Sequence, residues 1–241
     1  IHGGVQAFQL GNPDLKAETS LNTDVSLRFM GDVTTLNATV YQNWVDNYIY
    51  LMNTGRYRNS NGTVVAAGSP GALIEMTNAQ TDAIIRGLEV SGTWDVTRKL
   101  MLESGLEVID GEDTKNQRKL SLMPANNLRI KAHYTLGSLG NWQENRVSLG
   151  ARFVDSKSAA FPYEPFSQYD NLSTGTASTE AYTLWDLAYR THYKVNAQQQ
   201  LTLMANIDNL FDTAYYDFLD TYKGYAMSMG RNARITAKLS F

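Results

Sequence analysis

Apolar and polar residues alternate one by one along most of this chain, a period that an extended strand uses and a helix does not. Leu21, Val25 and Phe29 alternate with Asp24 and Arg28, so one side of the segment is apolar and the other is polar. Eight further segments repeat this pattern, centred on Val40, Val90, Leu102, Ile130, Leu149, Leu187, Leu203 and Ile235. No segment fits helical spacing as well, so the chain is predicted to be all-β with nine antiparallel strands.

Composition narrows the class of protein. The mean hydropathy is −0.34, and no apolar run is long enough for a transmembrane helix. In the strands of a membrane barrel, apolar and polar residues alternate, so the mean hydropathy is polar. The mean hydropathy of this chain is therefore compatible with a membrane barrel. A net charge of −3 over 241 residues gives no electrostatic footprint for nucleic acid. The absence of Cys excludes disulfides, thiolate metal sites and a cysteine nucleophile.

The connections between the predicted strands are alternately short and long. The short ones cover residues 30–35, 95–99, 137–146 and 191–200, and the long ones cover residues 51–83, 110–127, 154–181 and 212–232. Outer-membrane barrels have short periplasmic turns and long extracellular loops. The alternation therefore predicts a transmembrane antiparallel β-barrel with the long loops outside.

Aromatic residues end eight of the nine apolar rows. At the short-turn side they are Phe29, Trp94, Tyr134, Tyr189 and Phe241, and at the long-loop side they are Trp44, Phe153 and Phe211. Amphipathic rings collect at both rims of membrane barrels, at the level of the lipid headgroups. We expect these eight side chains to face lipid.

The strand count predicts the domain organisation. With nine strands in residues 21–241, residues 1–20 would belong to an extracellular loop. Complete bacterial barrels have an even number of strands, so we expect the C-terminal portion of a larger barrel. The alternative is one further strand near residues 1–10 or within residues 52–83.

Three motifs resemble those of the TonB-dependent outer-membrane receptors. Residues 11–18, GNPDLKAE, resemble the family's NPxLKPE segment, with Ala17 in place of the usual Pro. Residues 85–89, IRGLE, resemble its RGxE strand opening. Residues 209–215 followed by residues 230–232 resemble its NLFDxxY…GR ending. A passive porin would share the alternation and the loops but not these three motifs.

The resemblance implies a 22-stranded barrel with an N-terminal plug in its lumen. About thirteen strands and the plug would then lie outside these residues. It also implies import of a scarce nutrient across a Gram-negative outer membrane, with energy supplied through the TonB complex. A ferric siderophore is the first expectation, and cobalamin, haem, copper or a glycan are the alternatives. The iron chelate would be cargo, and no resident cofactor is expected.

The polar row of each strand would face the lumen. We expect part of this set to contact the plug and the rest to form a solvated wall; its charged members are Asp24, Arg28, Glu103, Glu107, Arg129, Lys131, Arg152, Asp186, Arg190, Asp208, Arg234 and Lys238.

Cargo contacts are predicted in two aromatic-rich long loops. The candidate residues are Phe161, Tyr163, Phe166, Tyr169, Tyr216, Tyr222, Tyr225, Met227, Met229 and Arg231. Rings can stack on a flat chelate and an arginine can neutralise an anionic one, although packing of loop on loop would use the same residues. Met227 and Met229 also allow a thioether site for Cu(I), with no Cys or nearby His to complete it.

Catalysis is not expected. The three histidines, His2, His133 and His192, do not form a hydrolase pattern, and neither GxSxG nor HExxH occurs. Phe241, an aromatic residue at the end of the last strand, resembles the signal that the barrel-assembly machinery recognises. An ordinary lipid-facing residue would look the same, so both roles stay open.

Overall fold

The computed structural model describes residues 7–158, 178–196, 198–220, 223 and 226–241, and these form one large β-sheet. The strands, in chain order, are β1 (Ala7–Leu10), β2 (Thr19–Met30), β3 (Thr34–Arg58), β4 (Val64–Val65), β5 (Leu73–Asp95), β6 (Leu100–Asp113), β7 (Arg118–Lys119), β8 (Asn127–Leu139), β9 (Trp142–Val154), β10 (Tyr182–Lys194), β11 (Gln200–Asp208) and β12 (Asn232–Ser240). No helix among the described residues is long and apolar enough to cross a membrane.

The nine predicted strands are confirmed. Their order in the sheet is β12-β11-β10-β9-β8-β6-β5-β3-β2, and every neighbouring pair is antiparallel. Each strand pairs with the next long strand along the chain, which is the up-and-down order of a membrane barrel. The sheet is open, with β2 and β12 at its two edges.

Short and long connections alternate as predicted. Four tight turns, at residues 31–33, 96–99, 140–141 and 195–199, lie at one end of the sheet. The connections at the other end cover residues 59–72, 114–126, 155–181 and 209–231. Because β8 and β9 extend further than their apolar rows, their turn is two residues long and not the ten predicted.

The prediction of a loop over residues 51–83 is wrong for most of its length. β3 continues to Arg58 and β5 begins at Leu73, so the two strands form a hairpin that extends beyond the rest of the sheet. The register shifts between Val45 and Tyr48 and again between Asn53 and Tyr57. Strict alternation is lost at these shifts, although the backbone pairing of the two strands continues beyond them.

The strand count predicts a loop over residues 1–20, but residues 7–10 form a strand and β2 begins at Thr19. β1 pairs in parallel with β5, from Ala7 opposite Ile74 to Leu10 opposite Thr77. β1 thus pairs with the outer part of β5, whereas β6 pairs with β5 only from Ala83 onward. Four residues are too short to show a period, so the sequence offers a strand near residues 1–10 only as its alternative, and β1 lies there.

One face of the sheet is apolar and exposed. All eight of the predicted rim aromatics lie on it with at least 37% of their surface exposed. Leu21, Leu27, Ile130 and Ile235 are also more than 40% exposed on this face. An apolar surface of this extent is typical of strands that face lipid.

Among the described residues, small clusters of buried apolar side chains occur only near the long-loop end. Ala7, Ile74 and Met76 form one cluster in the extended hairpin. Val45, Ala83 and Leu120 form the other, with Met123 packed against it. Since Leu120 and Met123 belong to the connection after β6, that connection folds back over the sheet.

Candidate functional site

The twelve charged residues predicted for the lumen share one face of the sheet. Lys131 and Asp186 are each the direct partner of Gly150, from β8 on one side and β10 on the other. A Cβ added to Gly150 would lie 3.7 Å from Lys131 Cγ and 3.9 Å from Asp186 Cβ, so these side chains point to the same side. The register carries this face across all nine long strands, from Asp24 on β2 to Lys238 on β12.

Some charges on this polar face pair with one another. The Arg129 guanidinium binds Glu107 Oε1, and Asn127 Nδ2 donates to Glu107 Oε2 at 3.0 Å. His133 Nδ1 lies 2.7 Å from Ser148 Oγ, and its Nε2 lies 3.3 Å from Glu103 Oε2. These contacts join β6, β8 and β9 and leave the other cations of the face without an acidic partner among the described residues.

A cavity of about 400 Å³ opens on the polar face between β6 and β10. Arg129, Lys131 and Arg152 line it together with Glu103 and Asp186. The three cations outnumber the two acids, and Glu107 neutralises Arg129. Lys131 and Arg152 then balance Glu103 and Asp186, so the cavity is polar and carries both signs of charge in equal number.

Aromatic residues meet at the long-loop end of the same face. The rings of Tyr182 and Tyr215 are 4.5 Å apart, and Tyr182 Oη donates to Asp217 Oδ2 at 3.1 Å. Burial and the nearby Asp217 carboxylate raise the pKa of the Tyr215 phenol, which stays protonated at neutral pH. Arg152 is close enough to act on both tyrosines, and its Nε is buried without a hydrogen-bond partner among the described residues. We call Arg152, Tyr182, Tyr215 and Asp217 the loop-end cluster.

A second cavity, of about 470 Å³, adjoins the loop-end cluster. Its walls include Thr179, Glu180, Tyr215, Tyr216 and Lys223. Aromatic, cationic and hydroxyl groups thus surround one opening on the side from which the long loops rise.

The NLFD motif builds the turn that holds this region. Asn209 is buried at a φ of 51°, and its backbone N–H donates to Asp186 Oδ1 at 3.0 Å. Its side chain accepts from the Thr213 N–H at 2.8 Å and donates to the carbonyl oxygens of Thr213 and Met229. One asparagine therefore ties the end of β11 to β10 and to both sides of the following connection.

The last part of the motif closes the same loop. Arg231 N–H donates to Asp212 Oδ1 at 2.7 Å, and the Arg231 guanidinium donates to the Leu210 carbonyl at 3.4 Å. A Cβ on Gly230 would lie 2.8 Å from Asp212 Oδ1, so only glycine fits here without a shift. The GR pair thus has a structural role at the base of the loop, and cargo contact by Arg231 stays a prediction.

The NPxLKPE-like segment crosses the extended hairpin. Asn12 Nδ2 donates to the Asn78 carbonyl at 2.9 Å, and the Gln80 side chain pairs with both the N–H and the carbonyl of Lys16 at 2.8 Å. Asn47 Nδ2 reaches the Ala17 carbonyl at 3.3 Å. The motif ties β1 to β2 across the hairpin, which gives it a structural role.

A buried carboxylate fixes the outer part of the hairpin. Glu75 is fully buried and accepts from Thr54 Oγ1 at 2.9 Å, from Arg56 Nε at 2.8 Å and from Arg58. Burial alone would raise the pKa of Glu75, but the hydrogen bonds from Arg58, Thr54 and Arg56 outweigh it and lower the pKa. Arg58 also lies 5.8 Å from the centre of the Phe8 ring. The cluster makes the hairpin a fixed structure.

The predicted cargo residues fall into two groups. Tyr216 lines the 470 Å³ cavity, and Met227 and Met229 are 59% and 70% exposed. The remaining aromatic candidates lie outside the described residues: Phe161, Tyr163, Phe166, Tyr169, Tyr222 and Tyr225. Tyr215 belongs to the aromatic-rich loop 212–232 in which the sequence analysis expects cargo contacts, but the sequence analysis did not select Tyr182 or Asp217.

The described residues contain no group of three or more His, Asp and Glu side chains that could hold a metal ion. His133 contacts Ser148 and Glu103, and His192 Nδ1 lies 2.9 Å from Thr202 Oγ1. Each imidazole therefore joins neighbouring strands on the polar face.

The chain belongs to the TonB-dependent receptor-like β-barrel family, whose model matches residues 2–210. The ferrienterobactin receptor of Escherichia coli (strain K12) is 25% identical over 206 residues, which are 84% of this chain and 24% of that protein. The chain therefore spans about a quarter of the length of this relative.

Solved structures confirm the fold. The copper transporter OprC matches with a TM-score of 0.68 at 21% identity, covering 95% of this chain and 32% of that one. The siderophore receptor PirA from Acinetobacter baumannii matches with a TM-score of 0.60 at 20% identity, covering 97% of this chain and 33% of that one. The open sheet is thus similar to about a third of each of these two chains.

Proposed function

We propose that this chain is the C-terminal part of the barrel of a Gram-negative outer-membrane receptor that imports a ferric siderophore. The loop-end cluster, in a chain of this family, carries the proposal. Arg152 lines the 400 Å³ cavity, and the tilted rings of Tyr182 and Tyr215, which are near it, line the 470 Å³ cavity. Rings can stack on a flat chelate, and a guanidinium can neutralise an anionic one through directed hydrogen bonds.

The names of relatives support an iron chelate. The Escherichia coli relative is a ferrienterobactin receptor, and PirA is a siderophore receptor. Membership of the receptor family supports active import over passage through a passive porin. Import would draw its energy through TonB, which would act on a plug. The apolar face of the sheet would contact the membrane lipid.

Copper is the second candidate. The copper transporter OprC has a similar fold, and Met227 and Met229 offer exposed thioethers, which suit Cu(I). Met76, another methionine of the long-loop side, is fully buried in an apolar cluster and is not available as a ligand. Two thioethers make a weaker case than the loop-end cluster.

Phe241 fits the proposed role in assembly. The residue follows β12 and is 94% exposed on the apolar face. An exposed aromatic residue at the end of a barrel strand can be recognised by the assembly machinery and then face lipid. Replacing Phe241 with Ser should lower the amount of folded receptor in the membrane and leave cargo affinity per folded receptor unchanged.

The experiment is a binding titration of the purified full-length receptor in detergent. Ferric enterobactin, a ferric hydroxamate chelate and Cu(I) are titrated separately while intrinsic fluorescence is recorded. A ferric chelate should bind, and Arg152→Gln and Tyr215→Ala should each weaken it by about tenfold, equivalent to about 1.4 kcal/mol. Arg98→Gln, in the tight turn at the opposite end, is the matched control. Binding of Cu(I) alone, or unchanged affinity in both variants, would contradict the proposal.

A further inference from the structure

A groove of about 350 Å³ lies on the apolar face of the sheet, near the short-turn end. Ala205 on β11 forms its floor, because it is the direct partner of Tyr189 on β10 and of Ile235 on β12. A methyl group thus lies between a ring and a branched chain, and Ile235 stands out from the sheet with 83% of its surface exposed. Leu139 and Trp142, on the two sides of the turn between β8 and β9, line the short-turn end of the groove. Its volume is within the range of small-ligand pockets, about 300–1,000 Å³.

The polar groups beneath this groove are already satisfied. Asn145 is fully buried, and its Oδ1 accepts from Tyr189 Oη at 2.7 Å and from Thr191 Oγ1 at 2.8 Å. Its Nδ2 donates to the carbonyl oxygens of Gly137 and Trp142 at 2.6 and 3.2 Å. Both hydroxyl protons and both amide protons are therefore in use. A polar occupant would lose its contacts with water and gain little in return, so the groove suits an apolar chain.

A β-bulge builds this arrangement. The register between β9 and β10 shifts between Arg190 and His192, and Glu144 adopts a positive φ of 51°. Such a φ is unfavourable for a residue other than glycine and persists only where the surroundings hold it. Bulges re-aim side chains, and this one turns Asn145 beneath the apolar face, where its four hydrogen bonds hold the bulge.

Amphipathic and cationic side chains lie at the short-turn rim of the groove. The rings of Trp142 and Tyr193 are 4.8 Å apart, and the Lys194 N–H donates to the Asn141 carbonyl at 3.0 Å, which places Lys194 beside the same turn. Lys194 is exposed and forms no ion pair with another described residue. The acid of the adjoining bulge, Glu144, points to the opposite, polar face. Aromatic rings and a lysine are suited to a lipid headgroup at the membrane interface.

We propose that this groove holds one acyl chain of a glycerophospholipid of the periplasmic leaflet, with the lipid phosphate at Lys194. Members of this family are outer-membrane proteins with short turns on the periplasmic side, so phospholipid chains meet this part of the apolar face. Contact with bulk lipid needs only an apolar surface. Walls on both sides of a chain, with a cation at its head, retain one lipid when the surrounding lipid is removed. The inference rests on the membrane location of the family and not on the cargo.

Native mass spectrometry of the purified full-length receptor tests the site. The receptor is stripped of lipid in detergent and titrated with phosphatidylglycerol, and the fraction with one lipid bound is measured. Ala205→Phe, which fills the floor of the groove, should weaken binding of the first lipid by about tenfold. Ala132→Phe is the matched control, because Ala132 lies on the same face of β8, between Leu102 and Leu149. Heat-modifiable mobility in gels shows that each variant has folded, and Ile235→Ala, which removes one wall, replaces Ala205→Phe if that variant does not fold.

The headgroup is tested separately. Lys194→Gln should weaken phosphatidylglycerol by about fivefold and leave a diacylglycerol, which has no phosphate, unchanged. Lys99→Gln, in another short turn, is its control. Equal weakening by Ala205→Phe and Ala132→Phe would show a uniform lipid-facing surface and overturn the site, as would retention of detergent alone. An equal effect of Lys194→Gln on both lipids would overturn the position of the phosphate. The cargo titration is independent of all these outcomes.

Discussion

The ring of Tyr41 occupies the space that a side chain at Gly87 would need. The two residues are direct partners on β3 and β5, and a Cβ on Gly87 would lie 2.1 Å from Tyr41 Cζ. Gly87 is the glycine of the RGxE motif. The motif therefore has a packing reason, because the tyrosine ring lies flat over the backbone of the facing strand.

Gly87→Ala should destabilise the barrel, because either the ring or the strand must move. Overpacking of this kind costs about 1–3 kcal/mol. Urea unfolding of the full-length receptor, followed by gel mobility, measures the loss. Gly150→Ala is the control, since its nearest contact would be an ordinary 3.7 Å. Tyr41→Ala should relieve the defect of Gly87→Ala; a double variant no more stable than Gly87→Ala alone would contradict the steric cause.

Removing the Glu75 carboxylate should loosen the extended hairpin without unfolding the barrel. Glu75→Ala leaves Arg58, which is only 20% exposed, without its anion. Removing one partner of a buried ion pair costs roughly 3 kcal/mol. Hydrogen exchange of residues 49–58 and 73–80 should speed up by tenfold or more while β8 and β9 keep wild-type protection. Uniform exchange across the sheet would show that the hairpin is not a separate unit.

The same carboxylate should make the hairpin sensitive to acid. The pKa of Glu75 in the folded hairpin is lowered from an ordinary value of 4.5, so its contribution to stability is complete above that value. The contribution is lost as the pH falls through the lowered folded pKa. Protease cleavage in residues 59–72 should therefore increase below about pH 4. Glu75→Gln should flatten this dependence; an unchanged acid response would assign it to another group.

Asn209 should anchor the connection between β11 and β12. Asn209→Ala removes the side-chain hydrogen bonds to Thr213 and Met229 and places a Cβ without a polar group at a positive φ. Each buried polar group left unsatisfied costs about 1–3 kcal/mol. Asn209→Gly loses the same hydrogen bonds, but glycine adopts a positive φ without strain. This variant should therefore destabilise the receptor less than Asn209→Ala does. Equal thermal stability of the Gly variant and wild type would show that the backbone conformation alone matters.

The barrel strands could be predicted from the sequence because their two faces differ in polarity. Along β9, Val147, Leu149 and Phe153 alternate with Ser148 and Arg152, and the structure keeps that alternation. The outer parts of β3 and β5 lie beyond this boundary. Their pairing depends on backbone hydrogen bonds, on β1 and on Glu75, and none of these imposes a period of two.

The candidate site was predictable only in part. Arg152 was identified as a lumen residue, yet its position beside Tyr182 and Tyr215 depends on how the connection after β11 folds back. That fold depends on contacts between distant residues, such as Asn209 with Asp186 and Arg231 with Asp212. A sequence shows such residues as a motif but does not show which surfaces they bring together.

The central claim is that the two faces of this sheet meet lipid and the lumen. The chain contains no Cys, so a single introduced cysteine can be labelled specifically within it. We would place cysteines in turn at positions 147 to 151 of β9 in the full-length receptor. Each would then carry a probe that lipid-soluble and water-soluble quenchers reach differently. The account predicts strict alternation, with lipid access at 147, 149 and 151 and none at 148 and 150. Equal access at all five positions, or the reverse alternation, would contradict it.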